Sequence, residues 1–122
     1  RITESGKLQY GAANSVLAES TDVILKNDLS YIVTATDGGL ESDIKIYHNS
    51  LENTTAATGS TSSLKNLGVL SIGSYFNDTT RAMYFQGYIG EFVIYDRVLT
   101  TLERKDIENY LRKKWQIASQ EA

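Results

Sequence analysis

The chain has no cysteine and no proline among its 122 residues, and one residue each of histidine, methionine and tryptophan. Without cysteine there is no disulfide, no thiol nucleophile and no cysteine-ligated metal. No compartment follows from this, since large secreted β-sandwiches also do without disulfides. Average usage would place about six prolines in this length. Their absence, and a first residue that is arginine rather than methionine, fit a mature product or an excised piece of a longer protein. Long apolar runs are missing too. No stretch approaches the roughly 20 residues that span a bilayer, and none has the pattern of a signal peptide. Nor is there an excess of positive charge: 12 basic residues face 15 acidic ones, for a net charge of −3 and a pI near 5.1. That argues against a nucleic-acid partner. Six of the basic residues (Arg97, Arg104, Lys105, Arg112, Lys113, Lys114) gather near the C-terminus. Glu103, Asp106 and Glu108 are interleaved with them, the pattern of a solvated helix face.

The signatures of catalysis are equally scarce. No glycine-rich phosphate loop, serine elbow or HExxH pattern occurs. The lone histidine, His48, alternates with Ile44 and Ile46, which places it on an apolar strand face as a packed, hydrogen-bonded residue.

What is present is a single soluble domain. Hydrophobic residues make up 41% and charged residues 22%, ordinary values for a globular chain of this length. Eight tyrosines against three phenylalanines suit a half-exposed β surface or an interface. Residues 88–95 are dense in aromatic and β-branched side chains with one charge, Glu91. They read as a strand covered on both faces, in the middle of a sandwich. The period then changes. Thr100 and Glu103 form a capping-box pattern, and Ile107, Tyr110, Leu111 and Trp115 follow at spacings of three and four, as one apolar helical stripe. The pairs Arg104–Glu108 and Glu108–Arg112 fall four apart on what should be the wet side.

Upstream, residues 7–10 and 15–18 are short strand candidates, and residues 21–26, with Val23, Ile24 and Leu25 in succession, are a better one. Asn27-Asp28 signals a turn. Residues 29–36 and 43–49 form an expected antiparallel hairpin around Asp37-Gly38-Gly39. Residues 53–63 hold no large apolar side chain and read as a polar loop. Residues 69–75 are a strand, 76–81 a loop, and 82–86 lead into the apolar stretch. About eight strands and one C-terminal helix, without an internal repeat, predict an all-β antiparallel sandwich or jelly roll.

The series Phe85-x-Gly87-x-Ile89-x-Glu91-x-Val93-x-Tyr95-Asp96-Arg97-x-Leu99-Thr100-x-x-Glu103, with Ile107, Tyr110, Leu111 and Trp115 after it, resembles the closing segment of concanavalin A-like lectin/glucanase domains. More narrowly, it is similar to the laminin-G-like jelly rolls of multidomain bacterial surface and phage proteins. Residues 29–39, residues 44–50 (where the family commonly has Asn-Gly) and Leu67-Gly68-Val69-Leu70-Ser71-Ile72-Gly73 resemble successive strands of the same family. The resemblance spans residues 29–117. The complete family fold starts with additional strands, so either residues 1–28 supply a shortened set or another chain or domain completes the sandwich at its unpaired edges.

The resemblance implies a non-catalytic recognition or attachment module of an extracellular, cell-surface or virion-surface protein, with glycans as the expected ligand. The alternative is a structural subunit of a fibre, capsid decoration or appendage that works through self-assembly. Glycanases of this superfamily need two closely placed carboxylates on one strand. Glu91 has Ile89 and Val93 as its alternate neighbours, so no enzyme is expected, and Glu91 reads as a buried acid bonded to loop amides. Sugars offer C–H faces for stacking and paired hydroxyls for hydrogen bonding. Tyr75, Asn77, Asp78, Arg81 and Tyr84, with Phe76 between them, put aromatic and planar polar groups on one loop and its flanks, which makes them the candidate ligand site. No cofactor is expected. Some family members hold calcium at the sandwich rim with oxygen ligands. Asp37, Asp43, Asn77 and Asp78 are of that type, but no motif fixes them, and turn formers bonding their own backbone are the preferred reading. Asn53 and Asn77 begin N-glycosylation patterns, meaningful only in a secretory eukaryote. Neighbouring domains or copies of the chain are expected partners; nucleic acid and membrane insertion are not.

Overall fold

The computed structural model describes residues 6–12, 15–21, 29–40, 43–54, 72–76, 79–82 and 84–118. Seven antiparallel strands and one helix lie within them. Strands β1 (Gln9–Ala12) and β2 (Ser15–Glu19) form a hairpin whose register shifts between Tyr10 and Gly11. Strands β3 (Val33–Thr36), β4 (Lys45–His48) and β5 (Leu51–Glu52) form a three-stranded sheet in that order. Strands β6 (Tyr75–Phe76) and β7 (Arg81–Ala82), two residues each, pair antiparallel with Tyr75 opposite Ala82 and Phe76 opposite Arg81. The helix α1 runs Thr101–Lys114. The expected hairpin of residues 29–36 with 43–49 is present over Val33–Thr36 and Lys45–His48, and the strand candidates near 7–10 and 15–18 pair with each other. The expected strand at 21–26 and the Asn27-Asp28 turn lie outside the described residues, as do most of the loop at 53–63 and the first part of the strand at 69–75.

The buried apolar side chains follow the period-2 rule in β4. Ile44 and Ile46 are each 2% exposed, and Leu8, Ala18 and Ile32 join them in the core. Between β4 and β5 the chain turns through Asn49 and Ser50, both with positive φ (48° and 75°), the requirement of a type I′ turn. Asn49 also locks the turn to the neighbouring strand: its side-chain oxygen accepts from Ile32 N–H and its N–H donates to Ile32 C=O, both at 2.9 Å. The β1–β2 hairpin is stitched to this sheet by backbone and hydroxyl contacts. Ser20, fully buried, exchanges bonds with Leu8, accepting at Oγ (2.9 Å) and donating from N–H (2.8 Å). It bridges to Thr54, whose hydroxyl accepts from Ile46 N–H at 2.7 Å. Small hydroxyl residues suit this seam because they satisfy backbone groups that burial would otherwise leave unpaired.

The capping box is as the spacing predicts. Glu103 N–H donates to Thr100 Oγ1 at 3.3 Å and Thr100 N–H to the Glu103 carboxylate at 2.8 Å. At the far end, Gln116 has φ 53°, and Ile117 N–H reaches Arg112 C=O at 2.9 Å. This is a Schellman stop with glutamine in the left-handed position.

Two expectations are corrected. First, the Arg104–Glu108 pair is not on the wet side. Both residues are buried, at 6% and 2% exposure, while on the supposed apolar stripe Tyr110 and Trp115 are exposed and Ile107 and Leu111 only half-buried. The helix packs by a polar contact: Arg104 Nη1 donates to both Glu108 oxygens (2.9 and 2.8 Å), Thr34 Oγ1 donates to Glu108 (2.7 Å), and the Arg104 guanidinium lies 3.7 Å from the Tyr47 ring centroid. A carboxylate that gains a hydroxyl donor and a guanidinium that gains an aromatic face can leave water; separately they could not.

Second, residues 88–95 are not a covered central strand. They belong to no ladder, and Tyr88, Phe92 and Ile94 are 102%, 52% and 60% exposed. Among the described residues no backbone hydrogen bond engages residues 86–99; Phe85 N–H, bonded to Gly73 C=O at 2.8 Å, is the last one before them. The stretch has the side chains of a buried strand but, among the described residues, no strand pairs with it, and without a ladder apolar character alone does not make a strand.

Candidate functional site

The β6–β7 hairpin carries what can be placed of the predicted ligand site. Tyr75 opens β6 and Arg81 opens β7 across the same short ladder. The Arg81 side chain is exposed and donates from Nη1 to Ser74 Oγ at 3.2 Å. Tyr84, two residues past the strand, is 67% exposed. Asn77 and Asp78 at the hairpin tip lie outside the described residues, as do the side chains of Tyr75 and Phe76. The hairpin thus carries Tyr75 and Arg81 on adjacent strands, one residue pair apart, and Tyr84 follows it two residues on.

A second polar and aromatic cluster joins the extended stretch to the end of α1. Trp115 Nε1–H donates to Glu91 Oε2 at 2.9 Å, and Lys114 Nζ lies 2.9 Å from the same oxygen. The indole covers Gly90 so closely that a Cβ there would come within 3.3 Å of three ring atoms. The Lys114 ammonium sits 5.5 and 5.8 Å from the Tyr110 and Trp115 ring centroids. Glu91 is therefore not buried against loop amides as expected but exposed beside a cation. Lys114, and then the indole N–H, hold its carboxyl below the usual carboxylate range, and Lys114 is pushed up in return. Sequence reading missed this cluster; its signal was the one charged residue in the apolar stretch and the one tryptophan of the chain. Farther along, Arg97 grips Glu103 with both guanidinium nitrogens (2.9 and 2.8 Å), which brings the Glu103 carboxyl down to about 2.

The remaining candidates have local roles. His48 is half-buried beside Tyr31, with ring centroids 4.9 Å apart, and burial lowers its pKa. Its Nε2 has no hydrogen-bond partner among the described residues, so it is packed as expected but not hydrogen-bonded there. Asp37 accepts from Tyr10 Oη–H at 2.7 Å and from Gly39 N–H at 2.8 Å, an Asx turn tied to β1. Burial, and then the bond to Asp37, raise the Tyr10 pKa. Asp43 lies against Gly38 in the same connection. Among the described residues no three His, Asp or Glu side chains are grouped to hold a metal ion.

Residues 2–103 match the family Laminin_G_3, described as the concanavalin A-like lectin/glucanases superfamily. The chain belongs to this family. The family is a β-sandwich, and the antiparallel strands and the single C-terminal helix described above are consistent with that assignment. Its name covers both sugar binders and sugar hydrolases, so membership gives a fold and does not choose between these functions. Neither a curated protein nor a solved structure shows significant similarity to the chain. No helix among the described residues is long and apolar enough to cross a membrane.

Proposed function

We propose that this concanavalin A-like domain is a non-catalytic recognition or attachment module, with glycans as its ligand class, in a protein exposed at a cell or virion surface. The observation that carries the reading is the β6–β7 hairpin. Tyr75 and Arg81 lie on its two paired strands and Tyr84 two residues beyond, with Arg81 and Tyr84 open to solvent, and Asn77 and Asp78 fall between the strands in sequence. Stacking and planar hydrogen bonding are the two ways proteins hold sugars.

The carboxylates support the absence of hydrolysis. A glycosidase acid must hold its proton near neutral pH, so its pKa has to rise. Glu91 and Glu103 move the other way, each held by a cation. Glu108 is closed off by Arg104 and Thr34. No cofactor enters this reading. A glycan array probed with the 122-residue chain should give a signal that Tyr84→Ala and Arg81→Ala each reduce at least about tenfold, the loss of one good contact. A signal abolished by a calcium chelator would bring Asp37, Asp43, Asn77 and Asp78 back as ligands. Turnover of a β-glucan by the purified chain would overturn the reading.

A further inference from the structure

The Glu91–Lys114–Trp115 cluster carries groups that its structural role leaves unused. Gly90 closes one face of the six-membered indole ring, where a Cβ would stand 3.3 Å from three ring atoms. Trp115 is nonetheless 45% exposed, which leaves the opposite face to solvent. At the edge of the indole, Nε1–H and Lys114 Nζ both engage Glu91 Oε2, each at 2.9 Å. Among the described residues Glu91 Oε1 has no hydrogen-bond partner. Lys114 carries three N–H donors, and Glu91 and Tyr110 engage at most two of them. We propose that this face is a binding site for a neutral pyranose, stacked by its C–H face on the Trp115 indole, with neighbouring hydroxyls donating to Glu91 Oε1 and accepting from Lys114 Nζ.

Three features select that ligand class. The first is the pairing of an aromatic face with a donor and an acceptor along its edge. A pyranose presents a C–H face ringed by hydroxyls, each of which donates and accepts, whereas a purely apolar ligand would leave Glu91 Oε1 and the ammonium uncompensated. The second is charge. Glu91 and Lys114 cancel in contact, so the site attracts neither an anion nor a cation strongly, and a neutral ligand displaces no counter-ion from it. The third is preorganisation. The indole is fixed by Gly90 beneath it and by its N–H bond to Glu91, and the carboxylate is fixed by two donors. Little side-chain freedom is left to lose on binding.

This site shares its ligand class with the β6–β7 hairpin but none of its residues, so the two must be read separately. A single stacked ring of a dozen heavy atoms binds with a dissociation constant on the order of 1 mM, too weak to survive the washing of an array. Trp115 is the only tryptophan, and the quenching of its fluorescence by acrylamide in the 122-residue chain reports its open face directly. The probes are the methyl glycosides of glucose, galactose and mannose, and N-acetylglucosamine, with sorbitol as a polyol that has no ring face. At least one ring sugar should protect Trp115 saturably, by about twofold or more in the quenching constant at roughly ten times the dissociation constant, and sorbitol should not. Glu91→Gln keeps an oxygen for the indole N–H and removes the charged acceptor. It should weaken the protecting sugar about tenfold, the loss of a charge-assisted contact, with an unchanged far-UV circular dichroism spectrum. An empty array beside a protected Trp115 would remove the hairpin site and leave this one. Quenching unchanged by every sugar, protection equal with sorbitol, protection indifferent to Glu91→Gln, or tighter protection by N-acetylneuraminic acid or glucosamine than by the neutral sugars would each overturn the proposal, whatever the array shows.

Discussion

Two apolar stretches of this chain meet opposite fates. Residues 44–48 carry Ile44 and Ile46, each 2% exposed, in a strand paired on both edges. Residues 88–95 are at least as apolar, yet they stand in no ladder and expose both faces. The difference lies in what surrounds each stretch. β4 is followed by Asn49 and Ser50, a turn that folds β5 back onto it, and Asn49 bonds to Ile32 and so fixes the entry to β3 on the other side. Residues 88–95 have their anchors in a helix instead: Trp115 on Gly90 and Glu91, and Arg97 on Glu103. A helix can hold a strand-like segment by its side chains, but it offers no free amides or carbonyls along its length. Apolar pattern selects what could be buried; adjacent backbone decides what is.

Among the described residues, the helix that anchors residues 88–95 meets the three-stranded sheet at the buried Arg104–Glu108 pair, against Thr34 and Tyr47. Breaking that joint should have the largest effect. Glu108→Ala leaves the Arg104 guanidinium buried without its counter-ion, and a loss of about 3–5 kcal/mol in denaturant-unfolding stability is expected. The paired replacement Arg104→Met with Glu108→Leu should recover most of it, because two apolar side chains can fill the same space without a desolvation penalty. If the single variant costs under ~1 kcal/mol, the helix is not anchored there.

The contrast itself is sharpened by matched truncations. Ile46→Ala should cost about 2–5 kcal/mol, since a buried isoleucine leaves a cavity. Ile94→Ala should stay within about 0.5 kcal/mol. Equal losses from the two would mean that residues 88–95 are covered after all. A smaller effect belongs to the turn that favours the first stretch. Ser50 holds φ 75° with a side chain, so Ser50→Gly should stabilise by about 0.5–1 kcal/mol, read as a higher thermal midpoint. Destabilisation would show that the serine makes a contact worth more than the backbone strain.

Local signals were readable from the residues alone. The alternation of Ile44, Ile46 and His48, the hairpin with residues 29–36, and the Thr100–Glu103 capping box all depend on neighbours a few positions away, and all are present. The burial of Glu108 was not readable, because it depends on Thr34, 74 positions earlier, and an i,i+4 ion pair looks the same in sequence whether it faces water or a sheet. The exposure of Phe92 and Ile94 was hidden for a related reason: it depends on what lies beside the stretch, and no described strand pairs with it. Of the predicted ligand residues, Tyr75 and Arg81 lie on the paired strands of the hairpin, whereas the singular residue types of Glu91 and Trp115 marked each as unusual without linking them across 24 positions.

The smallest expected effect separates the regions by the cause of their titration. His48, in the covered region, is lowered by burial; Glu91, in the uncovered one, is lowered first by Lys114 and then by the Trp115 N–H. For His48 the fold resists a proton that the unfolded chain accepts near its ordinary value of about 6.5. Its contribution to stability is therefore complete above that pH and declines as pH falls from there to the lower folded value. For Glu91 the fold favours the ionised form, so its contribution is complete above the ordinary carboxylate range and is lost as pH falls through the depressed folded value. Since His48 is the only histidine, its imidazole resonance reports the first titration without ambiguity, and Trp115 fluorescence reports the second through the indole N–H bond. Raising salt to about 1 M shortens the screening length to about 3 Å. The Glu91 midpoint should then move up toward its ordinary value, while the His48 midpoint stays where burial put it. A His48 midpoint at or above 6.5, or a salt shift as large as that of Glu91, would mean that His48 answers to charge and is no more covered than residues 88–95.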